Sequence, residues 1–204
     1  MRVYLDNRDM GVAAGTLADG LKAGVAAAEA GGRVVIEMKA DGAEIGDAEL
    51  SRAEEPTTIQ ELHLVSADAR TLVRVTLYDA ADALGEAKAR QDSASELIQA
   101  GDTQKALDHL QEALGLWQLV RGTVDKSAEL LSLRLDQTVV KVADGGELRL
   151  AEEADALKVS LGEIKSALES QDWSALSDAL SYDMDRRAAT WQRLLRALGD
   201  HIAR

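Results

Sequence analysis

The chain of 204 residues contains no cysteine, no phenylalanine and a single proline. The lack of cysteine excludes disulfide bonds and thiolate chemistry, and it fits a protein that works in the reducing cytoplasm. Because there are only three tryptophans and three tyrosines, aliphatic side chains, mainly Ala and Leu, must form the core. Small aliphatic residues suit close contacts between helices, so we expect a core that is largely helical.

Clustered positive charge and long apolar runs are missing as well. The formal net charge is −13, which argues against nucleic acid or an anionic membrane as a partner, because phosphate binding needs clustered Lys and Arg. No apolar run approaches the roughly 20 residues of a membrane-spanning helix. The first residues, Met1 to Asp6, carry charge where a signal peptide would be apolar. We expect a cytoplasmic protein.

The first third of the chain, residues 1–66, alternates between strand and helix patterns. Alternation over residues 2–5 and again around Met10 and Val12 predicts two strands joined by a turn. Thr16 is a suitable N-cap for a helix that runs to Ala30. The apolar stripe of this helix is expected at Leu17, Leu21 and Val25, and Gly20 and Gly24 are expected to allow close packing on the other flank.

Three further strands are predicted after this helix. Residues 33–40 form the clearest of them, with Val34, Ile36 and Met38 expected on one face. Asp41-Gly42 predicts a tight turn into a short strand, and a last strand is expected around residues 59–66. The order is strand, strand, helix, strand, short strand, strand.

This order resembles the β-grasp (ubiquitin-like) fold, and the opening resembles the small sulfur carriers of thiamine and molybdopterin biosynthesis. The likeness lies in Met1-Arg2-Val3-Tyr4-Leu5-Asp6-Asn7, in Gly15-Thr16-Leu17 and in the turn from Asp41-Gly42 into Leu50. Those carriers act through a C-terminal Gly-Gly, whereas this chain ends His201-Ile202-Ala203-Arg204. The resemblance therefore implies a β-grasp-like domain of residues 1–66 with a binding surface and without carrier chemistry.

Residues 67–204 have helical periodicity and predict an antiparallel bundle of two long helical hairpins. The first hairpin comprises helices over 68–100 and 102–135, with Asp68 and Asp102 as N-caps and Gly101 at the C-terminal cap. The short break at Gly101-Asp102 makes the helices antiparallel. Leu77, Leu84, Gln91 and Ile98 follow the seven-residue interval of a coiled coil. Gln91 is expected either to set the register or to lie at an edge. Gly115 and Gly122 are expected to mark a close contact or a bend.

The second hairpin is predicted to comprise helices over 151–170 and 172–202. Residues 138–150, between the hairpins, fit a small β-hairpin or a simple crossover loop. The break at Gln171-Asp172 echoes the one at Gly101-Asp102, so the hairpins are either a diverged duplication or two similar Ala/Leu hairpins. The segment from Asp172 to Trp191 also resembles helical hairpins of uncharacterised bacterial proteins, which implies the fold alone.

Catalytic and metal-binding patterns are missing from the sequence. His63, His109 and His201 stand apart from acidic residues at ligand spacing, and no Glu-x-x-His motif of a di-iron bundle occurs. No Gly-x-Ser-x-Gly elbow of a serine hydrolase is present. We therefore predict a protein that is not an enzyme and that holds no metal and no cofactor.

Five residues near the end of the chain are candidates for contact with a partner. Trp173 follows a helix cap at the tip of a hairpin, where it would meet a partner or close the end of the bundle. Tyr182 and Trp191 could flank a groove. Arg186 and Arg187 concentrate positive charge, which either pairs with acidic residues of the chain or docks an acidic partner. Trp117, by contrast, is expected in the core.

The predicted function is that of a non-catalytic protein-interaction or scaffold protein of the α+β class. Each long helix of the first hairpin, roughly 33 residues, would span about 50 Å, which exceeds what the N-terminal domain can cover. Residues 148–204 or another subunit must cover the remainder, so a homo-oligomer is expected. The alternative is a cytosolic chaperone or adaptor that binds a partner helix. A relative of the sulfur carriers is the least favoured reading.

Overall fold

The computed structural model describes residues 1–134, 137–143 and 145–202. The chain divides into two compact units, of which the first comprises Met1–Leu72 and the second begins at Val73. A long helix, α3 (Ala69–Gln99), begins directly after the last strand of the first unit, so its first turn belongs to that unit. Asp68 caps this helix, as expected, by accepting a hydrogen bond of 2.7 Å from the amide of Thr71.

The first unit contains one five-stranded sheet with two helices. The elements are β1 (Arg2–Leu5), β2 (Arg8–Ala13), α1 (Leu17–Ala30), β3 (Arg33–Ala40), β4 (Ala43–Glu44), the short α2 (Asp47–Leu50) and β5 (Glu61–Asp68). In the sheet the strands are ordered β2-β1-β5-β3-β4; β1 and β5 are parallel, and the other neighbours are antiparallel. A mixed sheet of this kind is compatible with the β-grasp-like domain inferred from the sequence.

The turn between β1 and β2 connects the first hairpin to the centre of the sheet. Asp6 and Asn7 both have positive φ angles, as the two central residues of a type I′ hairpin turn do. The Asp6 carboxylate accepts hydrogen bonds from the amide and the hydroxyl of Ser66 on β5, at 2.8 and 2.7 Å. These bonds lower the pKa of Asp6, the backbone amide having the largest effect.

The face of α1 that meets the sheet differs in part from the predicted stripe. Leu21 is only partly buried and Val25 is exposed, whereas Gly20 and Gly24 are buried against the sheet. A Cβ at Gly24 would overlap Cδ1 of Leu64, a fully buried residue of β5. Leu17 is buried and Leu21 packs against the core of the sheet, as predicted, but Val25 is exposed. The closest approach of helix and sheet is made on the flank of Gly20 and Gly24, where close packing was expected.

A β-bulge changes the faces of β3. The pairing with β5 shifts register between Val35 and Glu37, so Ile36 is the additional residue and its side chain is exposed. Val35 and Met38 pack against the core of the sheet. The prediction that Val34, Ile36 and Met38 share one buried face was therefore wrong, since one extra residue inverts the alternation.

The second unit is mostly helical and has one hydrophobic core. Apolar residues of every long helix and of β6 belong to this core. Residues 138–150 contain an antiparallel β-hairpin, which decides between the two expected alternatives. The elements after α3 are α4 (Thr103–Leu131), β6 (Val139–Lys141), β7 (Glu147–Arg149), α5 (Leu150–Ser170), α6 (Trp173–Asp178), a π-helical segment (Ala179–Met184) and α7 (Asp185–Ile202).

Two differences from the predicted helices concern their ends and continuity. α4 ends at Leu131, where Ser132 adopts a left-handed conformation with φ of 53°, and Leu135, the predicted end, lies outside the described residues. The helix predicted over 172–202 is interrupted by the π-helical segment. That segment closes i to i+5 hydrogen bonds and therefore holds more residues in each turn than an α-helix does.

The two short connections between helices in the second unit, at Gly101-Asp102 and Gln171-Asp172, share one hydrogen-bond pattern. Gly101 and Gln171 both have positive φ, 81° and 55°, and the amide of the following aspartate bonds the carbonyl five residues earlier at 2.9 Å, as in a Schellman motif. Asp102 and Asp172 then cap the next helix. The shared geometry fits a duplication, but any hairpin closed by this motif would show it, so both sequence-based alternatives stay open.

The apolar stripes of α3 and α4 are covered within the chain. Leu77, Leu84, Leu110 and Val120 are buried in the same core as residues of α5, α6 and α7. The sequence left two possible covers for these stripes, residues 148–204 or another subunit. In the structure, helices after residue 148 cover them. The length of the first hairpin thus no longer requires a second subunit.

Candidate functional site

The described residues contain no group of three or more His, Asp and Glu side chains that could hold a metal ion. One histidine nevertheless has an acidic neighbour that the sequence reading missed. Nε2 of His63 lies 3.3 Å from Glu61, and the His63 ring stacks on Tyr4 at 4.5 Å. Residues two apart on a strand share a face, which is the signal that identifies the Glu61–His63 pair. A cross-strand stack of this kind stabilises a sheet.

The five predicted contact residues do not form one surface. Tyr182, in the π-helical segment, is 72% exposed, and Arg186 is exposed and pairs with Asp183 at 2.9 Å. Arg187 is mostly buried and pairs with Glu153 of α5 at 3.4 Å.

The two tryptophans of the set belong largely to the core. Trp173 is partly buried against it, and Trp191 is only 4% exposed. A side chain buried to that degree offers no surface to a protein partner. Of the five, Tyr182 and Arg186 are thus exposed, Trp173 and Arg187 are partly buried, and Trp191 alone is buried.

A cavity of about 520 Å³ lies beside α4 and α5. Its volume falls in the range of about 300–1,000 Å³ that is typical of ligand sites. Most of its lining residues are apolar, and they come from α4, α5 and α7: Trp117, Val120, Val124, Leu150, Ala151, Ala154, Leu157, Leu161 and Trp191. Three helices of the core thus leave an unfilled apolar space between them.

Two tryptophans in the lining carry unpaired hydrogen-bond donors. Trp117 and Trp191 are 3% and 4% exposed, and their rings meet edge to face at 6.1 Å with an interplanar angle of 86°. Neither indole N–H has a hydrogen-bond partner among the described residues. A buried indole N–H normally finds an acceptor. The prediction of Trp117 as a core residue is confirmed, but its neighbour Trp191 joins it from a distant part of the chain.

The charged lining residues of this cavity balance each other. Arg121 and Asp125 belong to α4 and form an exposed ion pair at 3.7 Å, while Asp155 and Lys158 belong to α5. Two acids and two bases give no net charge, in contrast to the acidic chain as a whole. The lining therefore selects neither an anionic nor a cationic ligand.

A smaller cavity of about 430 Å³ follows along the same pair of helices. It is lined by residues one to three turns nearer the N-terminus of α4, with Leu168 from α5: Leu107, Leu110, Gln111, Leu114, Gly115, Gln118 and Leu168. A Cβ atom added at Gly115 or at Gly122 would have no neighbouring atom of another residue within 4 Å. The close contact expected at these two glycines is thus not made by the described part of the chain.

A third and larger cavity of about 910 Å³ separates the β6–β7 hairpin from α7. Arg196, one of its lining residues, pairs with Asp82 of α3 at 2.8 Å, and Asp200, another, pairs with Arg74. Two of the charged residues in this lining are thus already paired within the chain. We therefore place the candidate site at the Trp117–Trp191 cavity.

A polar seam crosses the core between α3 and the π-helical segment. The hydroxyl of Ser95 lies 2.7 Å from the hydroxyls of Ser177 and Ser181, and Nε2 of Gln99 donates to Ser177 at 3.1 Å. One turn earlier, Gln91 is 1% exposed and its Oε1 has no partner among the described residues. Gln91 is thus a core residue. Of the two positions predicted for it, the one at an edge of the bundle is wrong.

Comparison of the chain with protein-family models, with curated protein sequences and with solved structures finds no match. None of the helices in the described ranges is long and apolar enough to cross a membrane.

Proposed function

We propose that this protein is a non-catalytic binding protein and that its binding site is the cavity between α4 and α5. One observation carries the proposal: an apolar space of about 520 Å³ stays open beside two buried tryptophans of the core. A concave and mostly apolar pocket with a few polar groups is the usual form of a small-molecule binding site. Helices α3, α4, α5 and α7, in our proposal, form the antiparallel four-helix bundle that frames it.

The test compares two phenylalanine substitutions on α5. Ala154 lines the cavity, so Ala154→Phe should fill it and abolish binding of the neutral fluorescent probe N-phenyl-1-naphthylamine. Val159 is 62% exposed and outside the lining, so Val159→Phe should leave binding unchanged. Equal binding by both variants would contradict the proposal, because the probe would then bind elsewhere.

A second candidate is the chaperone or adaptor that grips a partner helix. The smaller cavity favours it, because the centres of the two linings lie about nine residues apart along α4, which corresponds to about 13 Å. Two apolar side chains two to three turns apart on an amphipathic helix would match that separation.

A photoreactive residue distinguishes this candidate from nonspecific association. Placed at Gln118, which lines the smaller cavity, it should cross-link the partner helix, whereas placed at the exposed Leu119 it should not. Cross-linking from both positions would count against the adaptor.

Self-association and a cytoplasmic location stay predictions; light scattering that gives a clean monomer would contradict the prediction of self-association. The sulfur-carrier relation stays the least favoured.

A further inference from the structure

Helix α4 carries a second heptad pattern on the side that faces away from the core. Its buried side contains Leu110, Trp117 and Val124. The second pattern is spaced alternately by three and four residues, which places its members on one face of the helix. We call this surface the outer stripe, and it consists of Lys105, Asp108, Glu112, Gly115, Leu119, Gly122, Lys126 and Glu129. All of these residues are exposed except the half-buried Gly122.

The centre of the outer stripe is an exposed leucine between two glycines. Leu119 is 59% exposed, and Gly115 and Gly122 lie about one turn before and after it. A Cβ atom added at either glycine would have no neighbouring atom from another helix within 4 Å. The backbone at these glycines is therefore open to the close approach of another side chain. A single exposed leucine is ordinary on a protein surface, so the charges around it decide whether the stripe is an interface.

Two copies of α4 fit each other when they run antiparallel about a two-fold axis level with Trp117. Each residue then lies opposite the residue of the second copy that is equally far from Trp117 in the other direction. Leu119 lies opposite Gly115 of the second copy, and by symmetry Gly115 lies opposite Leu119 of the second copy. Each leucine is a knob that enters the space left open by a glycine.

The charges of the outer stripe are complementary in this same register. Lys126 lies opposite Asp108 of the second copy, and Lys105 lies opposite Glu129 of the second copy. By symmetry each of these ion pairs forms twice. The leucine contact and the opposite charges thus select one register independently of each other.

Other arrangements of the two helices lose this match. In a parallel pair each residue lies opposite its own copy, so that Lys126 meets Lys126 and Asp108 meets Asp108. An antiparallel pair shifted by one heptad places Glu112 opposite Glu129 in one direction and Leu119 opposite Asp108 in the other. Like charges that face each other are unfavourable across an interface. The outer stripe therefore matches a second copy in one orientation.

We propose that the outer stripe of α4 is a self-association surface, which pairs antiparallel with the outer stripe of a second copy to form a two-fold dimer. This inference goes beyond the proposed binding function and does not depend on it, because Leu119, Lys126 and Asp108 lie outside the lining of the Trp117–Trp191 cavity. Exposed ion pairs contribute little to affinity, so the dimer is weak. It forms as the protein concentration rises, and it dissociates at high salt because salt screens exposed charges.

Cross-linking tests the register, because the chain contains no cysteine. The variants Asp108→Cys and Lys126→Cys are mixed and treated with a short bismaleimide. In a mixed dimer the two thiols lie opposite each other, while the other pair of Lys126 and Asp108 stays intact. In a dimer of one variant the thiols are about 18 residues, or about 27 Å, apart along the helices. The mixture should give a product of twice the chain mass, and neither variant alone should do so.

Charge reversal tests the ion pairs. Lys126→Asp brings two carboxylates together at both ends of the dimer, so it should weaken dimerisation at least about tenfold in sedimentation equilibrium. Asp108→Lys should have the same effect, and the variant with both reversals should dimerise again because opposite charges then face each other. The matched control is Lys165→Asp, an exposed position of α5, which changes the net charge as Lys126→Asp does and should leave the dimer intact.

The outcomes separate this proposal from the binding function. Cross-linking in the mixture alone, together with restored dimerisation in the double reversal, supports the register. A chain that stays monomeric at millimolar concentration overturns the proposal. So does a mixture that cross-links no better than either variant alone, or a Lys165→Asp variant that weakens the dimer as much as Lys126→Asp. Binding of N-phenyl-1-naphthylamine should be the same in Lys126→Asp as in the unchanged chain, so it reports on the cavity separately.

Discussion

Replacement of Gln91 by methionine should stabilise the second unit. Gln91 continues the heptad of Leu77 and Leu84 into the core, where it is 1% exposed and its Oε1 has no partner among the described residues. An unsatisfied buried polar group costs about 1–3 kcal/mol. Methionine has a similar unbranched shape and adapts to irregular space, and volume-conserving replacements cost less than about 1.5 kcal/mol. We expect Gln91→Met to raise the free energy of unfolding by about 1–2 kcal/mol.

Urea denaturation followed by tryptophan fluorescence measures this change, because Trp117 and Trp191 report on the same core. With an m-value of about 2 kcal/mol per M, the midpoint should rise by about 0.5–1 M. The matched variant is Gln99→Met, the same exchange two turns later on α3. Gln99 donates to Ser177 at 3.1 Å, so its loss should lower stability by about 0.5–1.5 kcal/mol.

Opposite signs for the two variants are the decisive result. If Gln91→Met lowers stability as Gln99→Met does, then Oε1 of Gln91 is satisfied in solution and our reasoning is refuted. A stabilised variant whose NMR spectrum shows several conformations would add support for the register role that the sequence predicted, since a buried polar residue at a heptad position can specify one register.

Two further tests concern the first unit, and the first of them is paired with a glycine variant on α4 of the second unit. Gly24→Ala should lower the protection of β5 amides from hydrogen exchange, because its Cβ would overlap Leu64; overpacking costs about 1–3 kcal/mol and outweighs the helix propensity gained. Gly115→Ala, with nothing near its Cβ, should instead stabilise α4 by about 1 kcal/mol. Asp6→Asn should lose stability near neutral pH but not in acid. The hydrogen bonds from Ser66 lower the pKa of Asp6 in the folded protein below its usual value of 3.8. The charged carboxylate therefore stabilises the fold above pH 3.8, and this stabilisation is lost as the pH falls from 3.8 through the lowered pKa. Acid unfolding followed by circular dichroism measures this loss.

Local signals in the sequence predicted a large part of the fold. Thr16, Asp68, Asp102 and Asp172 were expected as helix caps, and each accepts an amide hydrogen bond in the structure. Gly101 ends α3 with the positive φ expected at such a position. Caps and turns depend on residues close in sequence, which is why these positions were predictable.

The cavity could not be predicted in the same way. It requires Trp191 of α7 to meet Trp117 of α4, a contact between residues that are remote in sequence and carry no signal of each other. The sequence predicts a groove between Trp191 and Tyr182, whereas in the structure Trp191 is buried beside Trp117. An unfilled space, moreover, depends on how helices are inclined to each other, which a hydrophobic stripe does not specify.

The π-helical segment does have a sequence signal, and it lies in the spacing of the buried residues. Leu176, Leu180, Met184 and Ala188 are all buried and follow one another at intervals of four. An α-helix with 3.6 residues per turn advances about 40° too far at each such step, so three steps would rotate the stripe by about 120° away from the core. A wider turn absorbs this drift, and the π-helical segment occupies Ala179–Met184, between the first and last of these residues. The spacing returns to alternating threes and fours after Ala188, where α7 is regular, so the interruption follows from the pattern that buries the helix.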